Sequence, residues 1–181
     1  MDSYNQSDPF LAASEIIHDY DFIAIAERLD ESLVVLSLLL DIPLGDVLHL
    51  DSKRSEGYDG EGGRGRCFWM VPTNLTAEMQ SYLETPQWKA HVLAERALYQ
   101  AARYSLDLTI ERLGRDRVAQ RVSLFRPAQR LAQEKCVKRT KFPCSAIGIP
   151  RQESETDCLT LDYGCGLDCL DEVAMALGIA E

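Results

Sequence analysis

No stretch of eighteen apolar residues occurs in the chain, so no segment reads as a transmembrane helix. Basic charge is also short. The 19 lysines and arginines against 29 aspartates and glutamates leave a net charge of −10 and a pI near 4.8. A duplex-binding protein carries a basic face, and an anionic membrane attracts basic segments. Nucleic acid and anionic lipid are therefore set aside as partners. The polar start, Met1–Ser7, lacks the apolar stretch of a signal peptide. Either the protein is cytoplasmic, or its targeting segment lies outside this sequence. Asparagine is nearly missing, and this scarcity is informative. Asn5 and Asn74 both stand in glycosylation sequons, Asn5-Gln6-Ser7 and Asn74-Leu75-Thr76. Serine or threonine follows at that offset about one time in eight by average composition. Two of two favours passage through the secretory pathway.

What is present is ordinary globular material, 46% apolar and 27% charged, over 181 residues. One domain over 1–181 is the expectation, with a cysteine-rich tail from about 136 to 181. The six cysteines are Cys67, Cys136, Cys144, Cys158, Cys165 and Cys169. An even number crowded toward the C-terminus is compatible with a disulfide framework whose connectivity the sequence does not reveal. A zinc site is the competing reading. It lacks a CxxC pair, and His18, His49 and His91 are all distant in sequence. Disulfides are preferred, and no metal is expected. A cysteine nucleophile would need a histidine partner, and nothing singles out His49 or His91.

Along the chain, Asp8-Pro9 opens a short helix with Phe10, Ala13 and Ile17 at helical spacing. The apolar run Tyr20–Ala26 reads as a buried parallel strand. Asp30 caps a helix over Glu31–Leu40, apolar nearly all round and so expected to be deeply buried. Strand then helix makes one α/β unit. Asp46–Leu50 is a possible short strand, and Asp51–Arg66 a glycine-rich loop. Then come helices. One runs from Thr76 to about Leu83. A long one opens at Pro86, has Trp88, Val92, Tyr99, Ala102, Leu106, Ile110 and Leu113 on one face, and closes at Gly114. Another spans Asp116 to about Cys136 with Val118, Val122, Phe125, Ala132 and Cys136 inward and Pro127 inside it. A last short helix is expected at Leu170–Leu177. A parallel sheet needs more strands than this chain supplies, which points to a domain cut open at its N-terminal side.

Three patterns compete for chemistry. The glycine-rich loop fails the phosphate-loop test, because no Gly-Lys-Ser/Thr closes it before a helix. Its Asp59 and Glu61 would repel phosphate. Glu27 and Arg28 follow the expected strand, where open α/β sheets bind ligands, although an ion pair or helix cap explains them as well. Ser52-Lys53-Arg54-Ser55 places two cations between two hydroxyls in an acidic chain, with Gly57 shortly after to admit a ligand to the backbone. These five residues, Ser52, Lys53, Arg54, Ser55 and Gly57, are the candidate anion site.

The block Tyr20-Asp21-Phe22-Ile23-Ala24-Ile25-Ala26-Glu27, followed by Asp30-Glu31-Ser32-Leu33-Val34-Val35-Leu36, resembles a block of the Golgi carbohydrate sulfotransferases, the galactose-3-O-sulfotransferase family in particular. Ser52–Ser55 and Glu95-Arg96-Ala97-Leu98-Tyr99 look like the basic loop and the acidic-Leu-Tyr helix that follow it there. The resemblance runs over roughly Ile16 to Leu113, and the cysteine tail has no counterpart in it. It implies an α/β fold, part of a P-loop nucleotide-kinase-like sulfotransferase domain that is mostly helical in this fragment. It implies the donor PAPS (3′-phosphoadenosine-5′-phosphosulfate) and a glycan or glycolipid acceptor. It also implies a Golgi lumen or Golgi membrane location, on an anchor in a missing N-terminal segment. In the family the phosphosulfate loop and the catalytic base precede this block, so the chain alone is expected to be inactive and its catalytic residue is unknown. The basic loop would touch the donor's 3′-phosphate or adenine. The alternative function is a non-catalytic, disulfide-bonded secretory-pathway protein with a binding or scaffolding role.

Overall fold

The computed structural model describes residues 9–51, 56–60, 66–161 and 163–180. They are mostly helical, with one small antiparallel sheet. The chain divides into two compact units, 1–38 with 74–120 and 39–73 with 121–181.

In the first unit, helix α1 (Pro9–Asp19) opens with proline at its first position, where a missing N–H costs nothing. Ala13 is buried, but Phe10 is 63% exposed, so the face lies away from Phe10. Asp8 falls outside the described residues. α1 packs along α5 (Leu93–Leu113). The run 20–26 forms no strand. It is irregular and ends in a 3-10 turn at Ala26–Arg28. A strand requires a partner ladder for its N–H and C=O groups, and here a side chain takes that role. The Ile25 amide donates to Ser32 Oγ (3.0 Å), and the Ser32 hydroxyl bonds back to the Ile25 carbonyl (3.3 Å). Helix α2 begins at Leu29, ahead of Asp30, and runs to Leu40. Its buried positions are Ser32, Val34, Val35 and Ser37, while Leu40 is exposed. The helix is thus less deeply buried than its leucines suggest.

Thr76 caps α3 (Ala77–Leu83) by accepting from the Met79 amide. Thr85 does the same for α4 (Pro86–His91) through the Trp88 amide. The long helix expected from Pro86 is broken at Val92 (φ −98°, ψ 18°), which separates α4 from α5. Ala102, Leu106 and Ile110 are buried on α5 as the spacing predicts, and Gly114 ends it at φ 93°. Helix α6 (Arg115–Cys136) runs on through Pro127 with Val118, Val122, Phe125, Ala132 and Cys136 all buried.

In the second unit, Asp46–Leu50 is not a strand. Leu44–Val47 is a 3-10 turn, on which α7 (Leu167–Leu177) packs. Gly45 is needed there. A Cβ on it would stand 2.6 Å from the Ala174 Cβ and 3.0 Å from the Ile179 carbonyl oxygen. The region read as one glycine-rich loop contains β1 (Tyr58–Gly60), which pairs with β2 (Cys67–Trp69), Tyr58 opposite Trp69 and Gly60 opposite Cys67.

All six cysteines are paired, Cys67–Cys144, Cys136–Cys169 and Cys158–Cys165, and all three bridges lie within this unit. Bonded sulfurs offer neither a zinc ligand nor a thiolate nucleophile. Three intramolecular disulfides point to an oxidising compartment outside the cytosol. Among the described residues no helix is long and apolar enough to cross a membrane.

Candidate functional site

The candidate site is a cavity of about 380 Å³ in the second unit, where the β1–β2 hairpin meets the segment after α6. Its position follows from two local devices. The first is an amide clamp on His49. The His49 N–H donates to Gln129 Oε1 (3.2 Å), Gln129 Nε2 donates to the His49 carbonyl (2.8 Å), and Gln133 Nε2 reaches the same carbonyl (3.1 Å). Two glutamines one turn apart on α6 thus satisfy an extended backbone that has no sheet partner there. The clamp directs the chain toward Asp51, on the cavity wall, whose carboxylate lies 3.7 Å from His49 Nε2.

The second device is the disulfide Cys67–Cys144, which ties β2 to the tail. Tyr58 stands edge-on to Trp69 with centroids 5.1 Å apart. Gly148, at φ 78°, lies so near the Tyr58 ring that a Cβ would meet it at 2.5 Å. Arg151 braces the far wall. Its Nη1 donates to the Phe142 carbonyl (2.6 Å) and its amide to the Pro143 carbonyl (2.8 Å).

Of the five residues expected to bind an anion, Gly57 lines this cavity. Ser52, Lys53, Arg54 and Ser55 lie outside the described residues. The residue just before them, Asp51, also lines the cavity, so both flanks of that segment border one space. The described wall itself carries the carboxylates of Asp51 and Asp59 against the guanidinium of Arg151. That balance disfavours a bare phosphate. The described wall suits a hydroxyl-rich, uncharged group better, with Asp51, Asp59 and Thr140 as polar partners. Tyr58, Thr140 and Arg151 carried no sequence signal, because nothing in residue order places 58, 140 and 151 side by side.

Glu27 and Arg28 both have partners within the first unit. Arg28 Nε bonds Glu31 at 2.6 Å and Nη1 bonds Asp107 at 2.7 Å, tying the start of α2 to α5 within the first unit. The Glu31 bond, with that to Asp107, holds the guanidinium protonated beyond its usual range against the opposing effect of burial. Glu27 meets Tyr99, whose phenol is pushed up first by desolvation and then by that hydrogen bond. Among the described residues no group of three histidine, cysteine or acidic side chains is placed to hold a metal.

Compared with protein-family models, curated proteins and solved structures, the chain matches none.

Proposed function

We propose that the chain is the C-terminal part of a PAPS-dependent carbohydrate sulfotransferase of the secretory pathway, acting on a sugar hydroxyl of a glycan or glycolipid in the Golgi. The block Tyr20–Leu36 carries the reading, by its resemblance to the galactose-3-O-sulfotransferase block. An extended segment with Ile25 buried turns sharply through Ala26–Arg28 into α2, and Ser32 bonds both polar backbone atoms of Ile25. The disulfides support a lumenal setting. In this reading Lys53 and Arg54 contact the donor's 3′-phosphate or adenine, and the wall beside Gly57, with Asp51, Asp59 and Arg151 on it, faces the nucleoside or the sugar. The reading requires sheet neighbours for residues 20–26, a phosphosulfate loop and a catalytic base beyond these 181 residues, within a P-loop nucleotide-kinase-like domain.

The test joins transcript mapping to assay. The reading frame from the mapped 5′ end is expressed in the secretory pathway and given radiolabelled PAPS with a panel of galactosides, beside the 181-residue chain. Donor-dependent sulfation by the longer product and none by the chain is the expected result. A transcript beginning at Met1, with no binding of adenosine-3′,5′-bisphosphate, would leave a non-catalytic, disulfide-bonded secretory protein instead. Sulfation by the 181 residues alone would show that the catalytic groups have been sought in the wrong place.

A further inference from the structure

We infer that Asn74 carries an N-linked oligosaccharide. Three observations bear on it, and none depends on the sulfotransferase reading. The first is chemical context. The three disulfides indicate the oxidising compartment in which asparagine glycosylation occurs. The second is access. Asn74, Leu75 and Thr76 are all exposed, in an irregular segment between β2 and α3. Neither the middle position, Leu75, nor the next residue, Ala77, is proline. The third is the folded role of the sequon's hydroxyl. Thr76 is extended (φ −73°, ψ 164°) and its Oγ1 accepts from the Met79 amide at 3.3 Å as the N-cap of α3. That hydroxyl is exposed and keeps its own proton and a second lone pair, so it stays available to a glycosylating enzyme.

The reaction joins the side-chain nitrogen of Asn74 to the anomeric carbon of a lipid-pyrophosphate-linked oligosaccharide. The anomeric carbon–oxygen bond to the pyrophosphate breaks, the lipid pyrophosphate leaves, and one amide proton passes to a base of the transferase. The placement has a physical consequence. Val71, Leu75 and Met79, sequence neighbours of Asn74, are exposed by 74%, 48% and 47%. A bulky, solubilising glycan at Asn74 screens apolar side chains that would otherwise invite association.

The experiment uses the full chain, directed to the secretory pathway of a eukaryotic host and purified with its disulfides formed. Release of N-glycans by an amidase in heavy-oxygen water converts each occupied asparagine to a labelled aspartate, read by peptide mass spectrometry. Label at position 74 in most molecules is expected. It should be lost in Asn74→Gln, which keeps the Thr76 cap, and lost in Thr76→Ala, but largely retained in Thr76→Ser. Far-UV circular dichroism of Asn74→Gln should match the parent. Unlabelled Asn74 in correctly bridged chains, label confined to Asn5, or label surviving in Thr76→Ala would each overturn the inference.

Discussion

Replacing Cys136 and Cys169 together by alanine separates loop closure from local packing as the source of the second unit's stability. The bridge joins residues 33 apart in sequence, whereas Cys158–Cys165 joins residues only 7 apart. Chain-entropy loss in the unfolded state grows with the logarithm of that separation. It amounts to about 3.7 kcal/mol for the first bridge and about 2.4 kcal/mol for the second at room temperature. Burial widens the gap. Cys136 is fully buried and Cys169 nearly so, between the end of α6 and the start of α7. Removing two sulfurs there leaves a void worth roughly 1 kcal/mol. Cys158 is only half-buried. The Cys136/Cys169 variant should lose about 4–5 kcal/mol, a large share of a domain's usual ~5–15 kcal/mol. The Cys158/Cys165 variant should lose about 2 kcal/mol. Urea unfolding followed by fluorescence reads both, since Trp69 lies on β2 in this unit and Trp88 on α4 in the other. Mass spectrometry first establishes that the remaining two bridges are intact. If the short-loop variant is destabilised as much as the long-loop one, the entropic ranking is wrong.

Other perturbations follow from single contacts. Gly45→Ala drives a Cβ into the Ala174 Cβ and the Ile179 carbonyl. It should cost about 2 kcal/mol in thermal or urea unfolding, with partial rescue by Ala174→Gly; full stability in the single variant would show that α7 moves aside freely. Glu172 bonds Arg139 twice, at 2.6 and 3.1 Å, and that bond and charge hold its carboxyl below the ordinary 4.5. A lowered carboxyl pKa means the contact is fully present above pH 4.5 and lost as pH falls through the folded-state value. Carboxyl carbon shifts should therefore titrate below 4.5 and return toward it in Arg139→Ala; an unmoved midpoint would deny the pairing in solution. Lys53→Ala with Arg54→Ala should weaken adenosine-3′,5′-bisphosphate binding by the complete enzyme by about 2–3 kcal/mol in calorimetric titration. Stability should change by less than about half a kcal/mol, and unchanged affinity would reduce the segment to a solvated turn.

Residue order alone sufficed wherever the cause was local. Thr76 before Ala77–Leu83, Pro86 opening a helix, Gly114 closing α5 and the inward stripe of α6 all appeared where propensity, capping and 3.6-residue spacing place them. Cysteine number and scarce asparagine pointed to an oxidising compartment, and the three bridges agree. Strands were misread because a strand is completed by partners that its own residues do not specify. Tyr20–Ala26 has the apolarity of a buried strand, yet Ser32 satisfies Ile25 from the next helix. The backbone of His49 is served by two glutamines 80 and 84 residues on, Gln129 and Gln133, instead of by a ladder. The hairpin, of which β1 lies inside the glycine-rich region, lacked the alternating run that marks a strand, and its pairing is held from outside by Cys67–Cys144, a bridge between residues 77 apart. Which cysteine meets which, and which side chains wall the cavity at Gly57, depend on how distant segments approach. That is a property of the folded chain's packing and not of any window within the sequence.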